Sequence, residues 1–211
     1  MADAAQRQRK LAAKSARRKA VVAGKRNLGA LPTSLAGRIR IASKGRVVRC
    51  VMPAALFEVG IGHIVVARAL PSGQLGCAWF LVDVFCLGVK DAFYAELGEK
   101  ELLSRLAGQD GLQTFVDAEP SRVRKLIRDA AAYAAGLGLA AAKDTPVIEA
   151  IFGAIDVNAC PETFTFGRDG KPFYVSGPFD TPARINLVNR TLQGRCGDGG
   201  WHYMIPADPD L

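Results

Sequence analysis

Acidic residues are nearly missing from the first quarter of this 211-residue chain. Asp3 is the only one among residues 1–49, against 14 Lys and Arg. The remaining residues hold 14 Lys and Arg and 19 acids, so the formal +8 divides into +13 and −5. That division excludes an evenly basic protein and points to a basic arm on a mildly acidic body. Histidine is scarce, with only His63 and His202. The five cysteines, at 50, 77, 86, 160 and 196, form no C-x-x-C pair, and their number is odd. A zinc ribbon is thereby excluded and a disulfide scaffold disfavoured, which leaves reduced thiols in a cytoplasmic protein as the expectation. The longest uncharged apolar stretch, Ala130 to Ala142, is 13 residues, too short to span a bilayer. No membrane partner is expected. No apolar core follows the N-terminal charges, so no secretory signal is expected either. The chain also contains no phosphate-binding P-loop pattern, Rossmann fingerprint, kinase set or G-x-S-x-G.

What is there begins with the arm. Residues 1–30 carry Arg7, Arg9, Lys10, Lys14, Arg17, Arg18, Lys19, Lys25 and Arg26 among Ala and Gln. These are strong helix formers. Leu11, Val21 and Val22 are the only large apolar residues between Met1 and Leu28, so no wide apolar stripe exists. The pattern predicts a charged helix that orders on a polyanion, because a block of Lys and Arg gains affinity for phosphate by releasing counterions. The nine cations are the candidate nucleic-acid-binding residues, with RNA, ribosome or DNA backbone as partner. A solvated tail and an Arg-rich transit peptide are the alternatives.

The expected fold class is α+β: a single domain with two β-hairpins packed against helices, plus the basic N-terminal arm. Residues 1–45 are read as arm and linker, with Arg38 to Ile41 a short edge strand by its alternation, and 46–211 as the globular domain. Arg46 to Met52 reads as a strand, and Pro53 to Gly60 as a short helix. Gly62 to Leu70 and Leu75 to Phe85 flank the turn residues Pro71-Ser-Gly-Gln74 and predict the first hairpin. Gly88 is expected to break the strand, and Lys90 to Gly98 to begin a helix. Glu99 to Leu106 has helical period. Ser121 to Gly136 is the clearest helix, with Val123, Leu126, Ile127, Ala130 and Ala134 on one face. Asp169-Gly170 predicts the second hairpin within residues 164–180, and Thr181 precedes a helix that it can cap.

The densest apolar run, Trp79 to Tyr94, encloses Asp83, Lys90 and Asp91, and charges in a core are costly unless paired. These three are the candidate catalytic residues. Carboxylates at a strand end can hold a hard divalent ion, and a nearby lysine suits phosphoryl chemistry. The plainer reading is that Asp83 caps the following turn or pairs with Lys90 or Arg68. No spacing fixes a metal site or calls for a cofactor. Cys86 or Cys50 with a histidine lacks any local signature of a thiol nucleophile. The aromatics Phe164, Phe166, Phe173, Tyr174 and Phe179 either stack bases or fill a core.

Phe80-Leu-Val-Asp-Val-Phe-Cys-Leu-Gly-Val-Lys-Asp91, together with Phe166-Gly-Arg-Asp-Gly-Lys-Pro-Phe-Tyr-Val-Ser-Gly-Pro-Phe-Asp180, resembles a family of uncharacterised bacterial proteins over most of residues 46–206. The resemblance implies one shared architecture with a Lys/Arg-rich N-terminus, and it supplies no catalytic residues. Relatives carry a Pro-His pair shortly after the long helix, where this chain reads Gly138-Leu-Ala-Ala-Ala-Lys-Asp144.

Three functions are therefore expected to compete. The first is a nucleic-acid-associated protein acting through its arm. The second is a metal-dependent phosphoester hydrolase using Asp83 and Asp91, with Lys90 stabilising charge. The third is a non-catalytic module whose basic tail docks an acidic protein. No sequence signature decides whether the chain is an enzyme.

Overall fold

A computed structural model describes residues 33–108 and 113–205. The chain divides between residues 38 and 39 into two units. In the described part of the first, Ser34 accepts the Gly37 amide at 3.2 Å and opens helix α1, Leu35–Ala42. Arg38 to Ile41 is thus helical. The alternation that suggested an edge strand instead places Ile39 and Ala42 three residues apart on one buried face.

The second unit is built on a five-stranded antiparallel sheet. Its strands are β1 (Val47–Pro53), β2 (Ile61–Ala69), β3 (Leu75–Asp83), β4 (Gly88–Leu97) and β5 (Phe115–Asp117), in the order β4-β3-β2-β1-β5. Between β1 and β2 lies the one-turn helix α2, Leu56–Val59. Pro53 ends β1 rather than opening this helix, and Gly60, at φ +92°, stops it. The first hairpin forms as expected, with Val65 opposite Trp79. Gly73, at φ +84°, supplies the left-handed residue of its turn.

The expected helix over Lys90 to Gly98 is strand β4. Gly88 does not end the apolar run; it returns the chain antiparallel to β3 after the turn Val84 to Leu87. Two local features cause the reversal. Asp83 Oδ1 accepts the amides of Phe85 and Cys86, both at 2.9 Å, which folds the turn on itself. Gly88 then takes φ +64° where a Cβ would lie 2.6 Å from the Ala130 carbonyl oxygen. Only glycine fits that approach without strain.

Each face of the sheet carries a core. On one, Val51, Val65, Ala67, Cys77 and Trp79 pack with Leu102 and Leu106 of α3, Glu99–Ala107. The other presents Ile64, Val66, Phe80 and Val82, all fully buried. There α4, Pro120–Gly136, crosses β1, β3 and β4. Val123, Leu126, Ile127, Ala130 and Ala134 are its buried side, as the periodicity predicts. Phe152, just after α5 (Thr145–Glu149), stacks on Phe80 at 6.2 Å.

The last segment makes a smaller layer. Strand β6, Phe173–Val175, pairs in parallel with β7, His202–Met204, and helix α6, Pro182–Cys196, lies between them in sequence. Thr181 caps α6 by accepting the Arg184 amide at 3.3 Å. Cys86, Leu87, Tyr174, Val188 and Leu192 form the core beneath. The second hairpin shrinks to a single bridge, Arg168 to Lys171, around Asp169-Gly170. Its two sides part because Pro172 has no N–H to offer a returning strand, and its carbonyl accepts the His202 amide at 2.9 Å. The α+β class holds; the first expected hairpin forms, the second does not, and β3 with β4 makes one that was read as strand and helix.

Candidate ligand cavity

The end of the β3–β4 hairpin carries all three candidate residues, and the fold separates them. Asp91 pairs with Leu81, and Val89 with Val82, so Lys90 is an extra residue, a β-bulge. The bulge lets the Lys90 ammonium reach Asp180 Oδ2 at 3.2 Å, ninety residues along the chain. Asp180 also accepts the Gly177 amide at 2.8 Å and the Tyr174 hydroxyl at 3.2 Å. Arg184 stands 3.5 Å from its other oxygen. Burial pushes the Asp180 carboxyl up, and the Gly177 amide, Lys90 and Tyr174 together overturn that, holding it below the ordinary range. The same burial, with Asp180 beside it, pushes the Tyr174 hydroxyl well above its usual value.

Lys90 and Asp180 border a cavity of about 410 Å³, within the range of roughly 300–1,000 Å³ typical of small-molecule sites. Val59, Ile61, Leu81 and Phe85 form one side, and the segment from Phe173 to Phe179 the other. Asp83 also lines it, only 5% exposed. Burial drives the Asp83 carboxyl up to about 6, and the amides of Cys86, Phe85 and Leu87, with Lys90, offset only part of that. Phe179 stands at the mouth, 95% exposed.

Asp91 is not among the lining residues. It is exposed and accepts the Ala92 amide at 2.8 Å. The fold brings Asp83 and Lys90 to one cavity and leaves Asp91 outside. Two further acids, Asp156 and Glu162, are engaged elsewhere: Asp156 accepts the Asn158 amide and Glu162 pairs with Arg122 at 2.5 Å. Among the described residues no three His, Cys, Asp or Glu stand together as a metal would require.

The thiols are free and mostly buried. Burial raises Cys50 and Cys77 to about 12 and Cys86 higher still, and no described hydrogen bond joins a cysteine to a histidine. His63 sits edge-on to Trp79, where burial lowers its pKa and Asp91 pulls the other way. Of the five aromatics weighed as base stackers or core, Phe164 stacks on Phe57, Phe166 on Tyr133, and Tyr174 on Tyr203. Phe173 meets Phe85 and His202 edge-on. Only Phe179 is open. At the hairpin tip, Arg168 lies over Phe173 at 5.1 Å and Lys171 donates to the Gly199 carbonyl at 2.8 Å. The nine arm cations, Arg7 to Arg26, lie outside the described residues.

Sequence reasoning missed Asp180 as a partner and the cavity with it. Asp180 stood as the last residue of a turn-rich motif at the start of a helix, and no local pattern couples it to Lys90. No helix among the described residues is long and apolar enough to cross a membrane. No protein family, curated protein or solved structure matches the chain.

Proposed function

We propose that this is a nucleic-acid-associated protein of the cytoplasm, whose basic N-terminal segment contacts RNA, ribosome or DNA phosphate while the α+β body is carried with it. The charge division of +13 over residues 1–49 against −5 over the rest supports it. Lys90, Arg105, Arg122, Arg124, Lys125, Arg128 and Arg184 each pair with a carboxylate. Arg40, Lys44 and Arg46, which continue the basic run into the second unit, are exposed and have no ion pair among the described residues, as is also true of Lys100, Lys143 and Arg190. Paired cations have their charge neutralised locally; the unpaired ones are open to phosphate. The free thiols are in keeping with a reducing compartment.

The test uses the full chain. Replacing Arg7, Arg9, Lys10, Lys14, Arg17, Arg18, Lys19, Lys25 and Arg26 by Gln is expected to remove retention of RNA and DNA and the excess A260 on purification. In a separate variant, Arg40, Lys44 and Arg46 become Ala. Each lost phosphate contact should flatten the log K against log salt slope by roughly 0.7–0.9. If the nine-fold variant binds as tightly as the parent at equal salt, the reading fails. Nuclease-resistant retention of an acidic protein would favour the docking module instead.

A further inference from the structure

We propose that the cavity between the β3–β4 hairpin and the Phe173–Asp180 segment binds a small apolar acid: a hydrophobic body bearing one anionic oxygen head, held by Lys90. The walls set the body. Ile61, Leu81, Phe85 and Val175 offer no polar side-chain group, and the rim residues Val59, Ile61 and Phe179 face solvent, 62%, 38% and 95% exposed. Three large apolar side chains left open around a cavity of about 410 Å³ are a surface that a ligand desolvates with gain.

The polar groups set the head. Asp180 Oδ2 is fully used, by the Gly177 amide, the Tyr174 hydroxyl and Lys90, and Arg184 stands 3.5 Å from the other oxygen. Asp83 Oδ1 is occupied by two amides of its own turn. The Lys90 ammonium has three N–H groups, and Asp180 is its one hydrogen-bond acceptor. Lys90 thus brings unused donor capacity to the cavity, which a ligand oxygen satisfies and a ligand amine does not. Gly177 contributes by having no side chain, since a Cβ there would lie 2.8 Å from Lys90 Nζ. Lys90 itself is held in place by the bulge and by the Asp180 anchor, so little ordering is left to be done on binding. The site lies wholly in the body and does not depend on the arm.

A matched pair of fluorescent probes tests this on the full chain: 1-anilinonaphthalene-8-sulfonate, and N-phenyl-1-naphthylamine, which has the same rings without the anion. One saturable site per chain is expected, with the sulfonate bound about tenfold or more tightly than the neutral probe, the worth of one hydrogen bond to a charged donor. Lys90→Met should abolish that preference and leave the neutral probe's affinity unchanged. Ile61→Trp, which fills the cavity from its rim without touching the ion pair, should weaken both probes about tenfold. Decanoate and 1-naphthoate, added as competitors, distinguish an aliphatic from an aromatic acid. Equal affinity for the two probes, a preference that survives Lys90→Met, or binding indifferent to Ile61→Trp in protein with unchanged near-UV circular dichroism would each overturn the assignment. If Lys90→Met fails to fold, the probe preference of the parent and the Ile61→Trp result still decide it.

Discussion

Replacing Asp83 by Asn should stabilise the protein at neutral pH and do nothing for it in acid. Asn keeps an oxygen for the Phe85 and Cys86 amides but cannot ionise. In the parent chain burial moves the carboxyl from an ordinary 3.8 to about 6, so the folded state holds the proton more tightly than the unfolded state does. Stability from this group is thus fully present below the unfolded value and is lost as pH rises through about 6. The difference corresponds to about 3 kcal/mol. Urea unfolding of parent and Asp83→Asn, measured at several pH values between about 4 and 8, isolates this contribution, because other titrating groups cancel in the comparison. The parent should lose about 2.5 kcal/mol relative to the variant across that window, nearly all of it by pH 7. Asp83→Ala is the companion: it strands two turn amides and should cost about 2 kcal/mol or more at every pH. A parent-minus-Asn difference that is flat with pH, or one in which the parent gains as pH rises, would refute the reasoning. It would mean that the turn amides and Lys90 outweigh burial.

Gly88→Ala should destabilise by about 3 kcal/mol or more, through a positive φ and contact with the Ala130 carbonyl, seen as a lower urea midpoint at unchanged slope. Among the cysteines, Cys196 alone is partly exposed. A disulfide reagent at pH about 8 should modify it first, and Cys50, Cys77 and Cys86 should react at useful rates only after unfolding, because burial holds them as thiols. Comparable rates for all five would contradict the buried positions.

Some of this molecule was legible in its sequence because the signal is local. The α4 face repeats within four turns, and burial against the sheet only completes what Val123, Leu126 and Ile127 already specify. The first hairpin follows from β-branched runs around Pro71-Ser-Gly-Gln74. The charge division needs no structure at all. The misread segments are those in which a distant partner chooses among local options. Residues 90–98 suit a helix about as well as a strand, and β4 forms because Asp83 and Gly88 turn the chain back onto the open edge of β3. Asp169-Gly170 makes its turn, but β7 supplies the pairing that a second hairpin arm was expected to give.

The sequence by itself determined the α+β class, the basic segment, and a costly group of charges inside the densest apolar run. Only the tertiary structure decided how those charges are resolved. A bulge one residue long aims Lys90 at Asp180 and leaves Asp91 in solvent, and the Asp83 carboxylate is spent on its own turn. Registers and bulges are fixed by hydrogen bonding across strands, and an ion pair ninety residues apart is fixed by where α6 and β6 dock. Neither leaves a periodicity for the sequence to display.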